Sequence, residues 1–99
     1  MDETQAPVAV LNAAEERWEI ARDGHVGFLA YMRHDNLLYL VHTEVPPELS
    51  GQGLAQQLVR TAMDFARAEG LTVIPFCPFA RSYLKRHRKE YEELVRWDD

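Results

Sequence analysis

The stretch that decides the fold is Pro46-Pro47-Glu48-Leu49-Ser50-Gly51-Gln52-Gly53-Leu54-Ala55. Before it runs an apolar, β-branched segment, Leu37 to Val45, and after it Leu54 to Glu69 carries a long amphipathic pattern. That order reads as a strand, a glycine-containing turn and a helix. Such a turn exposes several backbone N–H groups, and the helix dipole adds partial positive charge where they point. The two glycines allow a positive φ, or close approach of a ligand to the backbone. A pyrophosphate-bearing cofactor is the ligand such a turn is suited to hold.

On the N-terminal side, Leu37-Leu38-Tyr39-Leu40-Val41-His42-Thr43-Glu44-Val45 predicts a long central strand. Its near-continuous apolar start predicts burial on both faces. Val26 to Met32 predicts a strand joined to it through His34-Asp35-Asn36. Arg17-Trp18-Glu19-Ile20-Ala21 alternates polar and apolar, which predicts a half-buried strand with Trp18 and Ile20 inward. Asp23-Gly24 is a tight-hairpin signal between the two. Asn12 to Glu16 reads as a turn or one helical turn, Val8 to Leu11 as a short strand or its lead-in, and residues 1–7 as a frayed start. These strands form an antiparallel meander.

On the C-terminal side the period changes from two to 3.6. Leu54, Leu58, Ala62 and Phe65 follow one helical stripe, widened by Val59 and Met63, with Gln56, Gln57, Arg60, Asp64 and Arg67 opposite. Gly70 is placed to end that helix. Leu71 to Pro75 predicts a short strand that returns parallel to the sheet, and Pro78 opens a second, shorter helix through Tyr83, Leu84 and His87. Leu94, Val95 and Trp97 are expected to pack back as a tail. The predicted class is α+β, with a mixed, mostly antiparallel sheet, a crossover helix and a second shorter helix.

Composition narrows the function classes. Ninety-nine residues predict one domain over 1–99, with 46% hydrophobic and 27% charged residues, as in a globular protein. The formal net charge is −5. Residues 1–50 hold three Arg or Lys against nine Asp or Glu, and residues 51–99 eight against seven. That balance argues against broad nucleic-acid binding. One cysteine excludes an internal disulfide framework and a Cys-rich zinc site, and fits a reducing compartment. The acidic N-terminus carries no secretory pattern, and no apolar run approaches the ~20 residues of a membrane span. A cytoplasmic protein without membrane contact is expected.

Two nucleotide motifs fail on their residues. A P-loop needs Lys and Ser/Thr after its second glycine, where Leu54-Ala55 stand here. A dinucleotide fingerprint needs a third glycine where Gln56 stands, and a parallel sheet before it. A helix N-terminus with two structural glycines and no ligand remains open on the loop alone. The order of elements, however, resembles that of the GCN5-related N-acetyltransferases, whose phosphate loop reads Gln/Arg-x-x-Gly-x-Gly/Ala. Glu48-Leu49-Ser50-Gly51-Gln52-Gly53 matches both glycines and puts Glu48 in the first position. His42-Thr43-Glu44-Val45, Pro75-Phe76-Cys77-Pro78-Phe79 and Tyr83-x-x-x-His87 extend the likeness to minimal, single-domain members of that superfamily, which share the acidic residue at 48. The resemblance spans roughly Asn12 to Val95.

The resemblance implies an acyl-CoA N-acyltransferase fold and metal-free acetyl transfer from acetyl-CoA to an amine by direct attack. The cofactor's pyrophosphate is expected on the N–H groups of Ser50, Gly51, Gln52, Gly53, Leu54 and Ala55. Its pantetheine is expected along the backbone from Thr43 to Val45. His42 and Glu44 lie two apart on one strand and so face one side, placed for a base; a cross-sheet hydrogen bond and a solvated acid are the plainer roles. Cys77, at the start of the second helix, is an acetyl acceptor, a proton donor to the departing sulfur, or an inert wall. The superfamily's acidic Tyr falls at Leu84, which leaves Tyr83 beside it as a candidate acid or a packing residue. Arg81, Lys85, Arg86, Arg88 and Lys89 are a basic run near the expected CoA edge, or a solvated helix face. A CoA-binding module or regulator that has lost efficient transfer is the second reading, and a structural protein dimerising through an edge strand the third. The acceptor amine, small molecule or protein, is not written in the residues, and monomer and homodimer both remain open.

Overall fold

A computed structural model describes residues 8–97; the frayed start expected at residues 1–7 lies outside them. The elements are β1 (Val10–Asn12), β2 (Arg17–Arg22), β3 (His25–His34), β4 (Leu37–Glu44), α1 (Leu54–Glu69), β5 (Thr72–Pro75), α2 (Pro78–Arg86) and a one-turn α3 (Arg88–Tyr91). Short 3₁₀ turns occupy Ala13–Glu15 and Pro47–Leu49. The five strands form one sheet in the order β1-β2-β3-β4-β5, antiparallel except for the β4–β5 pair. This is the mixed α+β architecture the sequence predicts.

Local chemistry explains the meander. Asp23 (φ 53°) and Gly24 (φ 78°) form a two-residue turn with both φ positive, the twist that suits a hairpin, and Arg22 pairs directly with His25. Asp35 (φ 55°) opens an equally short second turn, so His34 pairs with Leu37. The tightness of both turns makes β3 longer than the predicted Val26 to Met32. Helix α1 spans the predicted Leu54–Glu69 and stops at Gly70, whose φ of 71° lets its N–H return to the Ala66 carbonyl. The C-terminal segment does pack back. Val73 donates its N–H to Leu94 O (2.7 Å) and accepts from Arg96 N–H (2.9 Å), so residues 94–96 flank β5.

The core lies between one sheet face and the two helices. Trp18, Ile20, Leu29, Leu38, Leu40, Leu58, Val59, Ala62, Met63, Ala66, Val73, Ala80 and Leu84 are buried there in one cluster. The Trp18 ring meets Phe65 of α1 edge-on (centroids 5.5 Å) and Tyr31 of β3 (4.7 Å). Burying each large aliphatic side chain contributes roughly 1.5–3 kcal/mol. One expectation fails: β4 is not buried on both faces. Leu38 and Leu40 are buried under the helices, but Leu37 and Tyr39 are only half covered. Both long helices sit on the same side, so Arg17, Phe28, Met32, Tyr39 and His42 lie on a sheet face that neither of them covers.

Candidate functional site

Near the end of β4 the strand changes course. The β3–β4 register slips between Ala30/Tyr31, so that Ala30 opposes His42 and Tyr31 opposes Leu40. Val41 is therefore an extra residue, a β-bulge that bends the strand and increases its twist. Pairing with β5 ends at the same level. Leu40 opposite Pro75 is the last parallel pair, and the Leu40 carbonyl accepts from both Phe76 N–H and Cys77 N–H at 2.9 Å. Beyond that point β4 continues to Glu44 against β3 alone, while the chain after β5 turns into α2. The two strands splay apart there.

The residues flanking the splay divide between the two faces of β4. Thr43 points toward the helix side, where its Oγ1 lies 3.1 Å from Sγ of the buried Cys77, an O–H···S or S–H···O hydrogen bond. His42 and Glu44 point to the uncovered face, with His42 Nε2 3.1 Å from Glu44 Oε1. Both are well exposed, at 58% and 64% of the side chain. The Phe28 ring packs 5.9 Å from the His42 ring, and the Arg17 guanidinium covers Phe28 at 4.7 Å. Arg17 is itself tied to Glu19 at 2.7 Å, a contact that, with one from Asn12, holds the Glu19 carboxyl below its ordinary pKa.

The turn at 50–53 leads into α1 with both glycines in the left-handed region, Gly51 at φ 80° and Gly53 at φ 75°. Gly53 is the N-cap of α1 and offers no side-chain acceptor, and the first turn holds no acidic residue. The first bond of the helix is Gln57 N–H to Gly53 O, so the N–H groups of Leu54, Ala55 and Gln56 are the orphan donors of a helix N-terminus. They border a concavity of about 340 Å³ lined by Val45, Leu49, Ser50, Gly51, Gly53, Leu54, Ala55, Gln56 and Phe79. A Cβ on Gly51 would meet no atom within 4 Å, and one on Gly53 only Gln56 Oε1 at 4.0 Å. The space above both glycines is open, which fits a bound anion in contact with backbone. Of the expected loop residues, Gln52 does not line the concavity.

Glu48, the acid at the head of the loop, also faces elsewhere. It sits in the Pro47–Leu49 turn with its carboxylate 3.9 Å from His25 Nδ1 and does not line the concavity. Tyr83 is buried in the α1–α2 interface, its ring 4.3 Å from His87 and its hydroxyl accepting from Arg60, whose guanidinium is held above its ordinary pKa by that bond. Leu84 is wholly buried. A second concavity of about 450 Å³ runs along α2 between Pro78, Arg81, Ser82, Lys85 and Arg86. The structure thus brings Thr43 to Cys77 and His42 to Glu44, and puts Tyr83 in the helix interface. The Thr43–Cys77 contact, 34 residues apart, and the bulge at Val41 carry no signal in the sequence.

Known proteins share the family signature and the fold. Residues 17–94 match the family model described as GCN5-related N-acetyl-transferase. The solution structure of a GCN5-like candidate N-acetyltransferase from Staphylococcus aureus superposes with a TM-score of 0.72 at 26% identity, covering 92% of this chain and 89% of that one. Protein NATD1 of Xenopus tropicalis is 40% identical over 48 residues, which are 48% of this chain and 44% of that protein's length. A family match from the second strand to the tail, on a sheet that splays beside a glycine turn, makes this chain a member of the GCN5-related N-acetyltransferase family.

Proposed function

We propose that this chain transfers an acetyl group from acetyl-CoA to an amine. The observation that carries the reading is the uncapped N-terminus of α1 behind Gly51 and Gly53, opening on a concavity that continues to Val45 and Phe79 beside the splay. Pyrophosphate is held by the N–H groups of residues 50–55, with Leu54, Ala55 and the glycines closest. The pantetheine runs toward Thr43 to Val45, where β4 has parted from β5. Acetyl-CoA, as co-substrate, supplies the thioester carbonyl that the amine attacks.

The chain's own residues then handle position and protons. His42, oriented by Glu44 at 3.1 Å, accepts the amine proton on the uncovered face. As the C–N bond forms and the C–S bond breaks, the departing sulfur takes a proton from the Cys77 thiol, which Thr43 Oγ1 holds at 3.1 Å. The buried Cys77 sulfur regains its proton through the partly exposed Thr43 hydroxyl, which takes one from solvent in turn. Base and acid stand on opposite sides of β4, so one proton leaves where the amine enters and the other arrives at the sulfur. Tyr83, engaged by Arg60 and His87, serves packing. The buried Leu84 at the superfamily's Tyr position favours the second reading, a CoA-binding module with weak transfer.

Calorimetry with acetyl-CoA and with CoA tests the cofactor site; absence of binding at millimolar ligand rejects it. A screen of amines, polyamines and peptides for CoA release then separates enzyme from module. Full transfer rates in both Cys77→Ala and His42→Ala would overturn the residue roles.

A further inference from the structure

We infer that the acceptor is a protein segment presenting a lysine beside apolar side chains, laid across the uncovered sheet face, rather than a small free amine. The inference rests on the acetyl-transfer reading and names its substrate class. His42 and Glu44 stand on an open surface; the concavities of 340, 370 and 450 Å³ are lined by other residues. Small ligands bind tightly in concave sites that remove most of their surface from water. A free amine on an open face is held by few contacts, so the acceptor must bring its own contact area.

The face offers such area. Met32 pairs with Tyr39 across β3 and β4, and a buried Ile74 stands opposite Tyr39 on β5. The Phe76 ring lies 5.4 Å from Tyr39. In a protein with ample helix surface elsewhere, Met32 remains 55% exposed, Phe76 61% and Val41 37%. The bulge adds Val41 to the same side as His42, and Phe28 flanks that imidazole. The band therefore runs beside the His42–Glu44 pair, and Phe76 adjoins Cys77 in sequence. Exposed Met and aromatic side chains grouped on one sheet face mark a protein-binding surface, where such side chains carry much of the energy.

Charge selects the occupant. The Glu44 and Glu48 carboxylates are 64% and 59% exposed at this end of the sheet, each beside a histidine, whereas Arg17 is occupied by Glu19. A cationic lysine with apolar neighbours satisfies both features. A second copy of this chain matches them less well, because it would set Glu44 and Glu48 near acidic groups of their own kind.

The test uses two peptides of equal charge: one lysine flanked by Leu and Phe, and one flanked by Gly and Ser. With CoA present, the apolar peptide is expected to shift the amides of Met32, Tyr39, Val41 and Phe76. It is also expected to be acetylated with kcat/KM at least tenfold above the polar peptide and above ethylenediamine. In the double variant Met32→Ser, Phe76→Ser that preference falls below about threefold, while acetyl-CoA affinity and the melting transition report an intact fold. Equal use of both peptides and the diamine overturns the inference, as does a preference the variant leaves intact. A concentration-dependent dimer that the same variant dissolves assigns the face to self-association and overturns it too. If acetyl-CoA itself does not bind the wild-type chain, the parent reading fails first and is recognised as such by calorimetry.

Discussion

Three glycines of this chain provide a matched experiment on the cofactor site. Gly51, Gly53 and Gly70 have φ of 80°, 75° and 71°, and a Cβ on any of them meets nothing closer than 4.0 Å. Replacement by alanine therefore costs each site the same thing, the left-handed backbone strain of about 1–2 kcal/mol, with no steric addition. For a domain of this size, ~1 kcal/mol lowers Tm by roughly 4–8 °C. The three variants should melt within a few degrees of one another. Binding should separate them. Gly70 closes the far end of α1, whereas a methyl group at Gly51 or Gly53 enters the space where phosphate meets backbone N–H groups. Losing one hydrogen bond to a charged group costs about 1.5–3 kcal/mol, roughly a tenfold to hundredfold rise in Kd. Calorimetry with acetyl-CoA should show that rise for Gly51→Ala and Gly53→Ala, and none for Gly70→Ala. If all three weaken binding alike, the effect is global destabilisation. If none does, the phosphate is not held at this turn.

Other perturbations test separate links. His42→Ala should lower kcat by roughly 10²-fold or more, with acetyl-CoA affinity unchanged, and the deficit should narrow as rising pH lets solvent take the amine proton; a pH-independent deficit refutes the base. Gly27→Ala places a Cβ 3.2 Å from both the Glu44 carbonyl and Val45 Cγ2, so it should cost about 1–3 kcal/mol in denaturant melts and weaken acetyl-CoA binding through the displaced Val45. Tyr91 is held protonated, mainly by burial and then by nearby Tyr83, with its pKa pushed up to about 12. Since that folded value lies above the unfolded one, the contribution is complete below about pH 10 and is lost as pH rises through 12. Unfolding free energies measured across that window should fall less steeply in Tyr91→Phe than in wild type, and identical slopes would refute the assignment.

Much of the fold was legible because its signals are local. The Asp23-Gly24 turn announces a positive-φ pair that few other residues adopt, and the Leu54–Glu69 stripe with Gly70 after it states both the length and the end of a helix. Alternation in Arg17 to Ala21 identified Trp18 and Ile20 as inward. The continuous apolar start of β4 misled, since Leu37 and Tyr39 share the face opposite α1 and α2 and are only half covered. Hydrophobicity records what a position tolerates, while burial depends on how many elements the chain provides to cover it. Glu48 shows the complementary case. Its place in the loop motif looks wrong for an anion site, and only the Pro47–Leu49 turn, which aims it at His25, removes the conflict.

The sequence by itself determined the longer strands and the two longer helices, their order, the glycine turn at the head of α1 and the shared face of His42 and Glu44. All of these depend on backbone preferences and spacings within about a dozen residues. Tertiary structure decided what those elements jointly build. It placed the Thr43 hydroxyl on the Cys77 sulfur across 34 residues, inserted Val41 as a bulge where β4 leaves β5, and left Met32 and Phe76 uncovered beside the candidate base. Contacts between distant segments arise when two packed surfaces meet, and no local pattern encodes which atoms that meeting brings within a hydrogen bond.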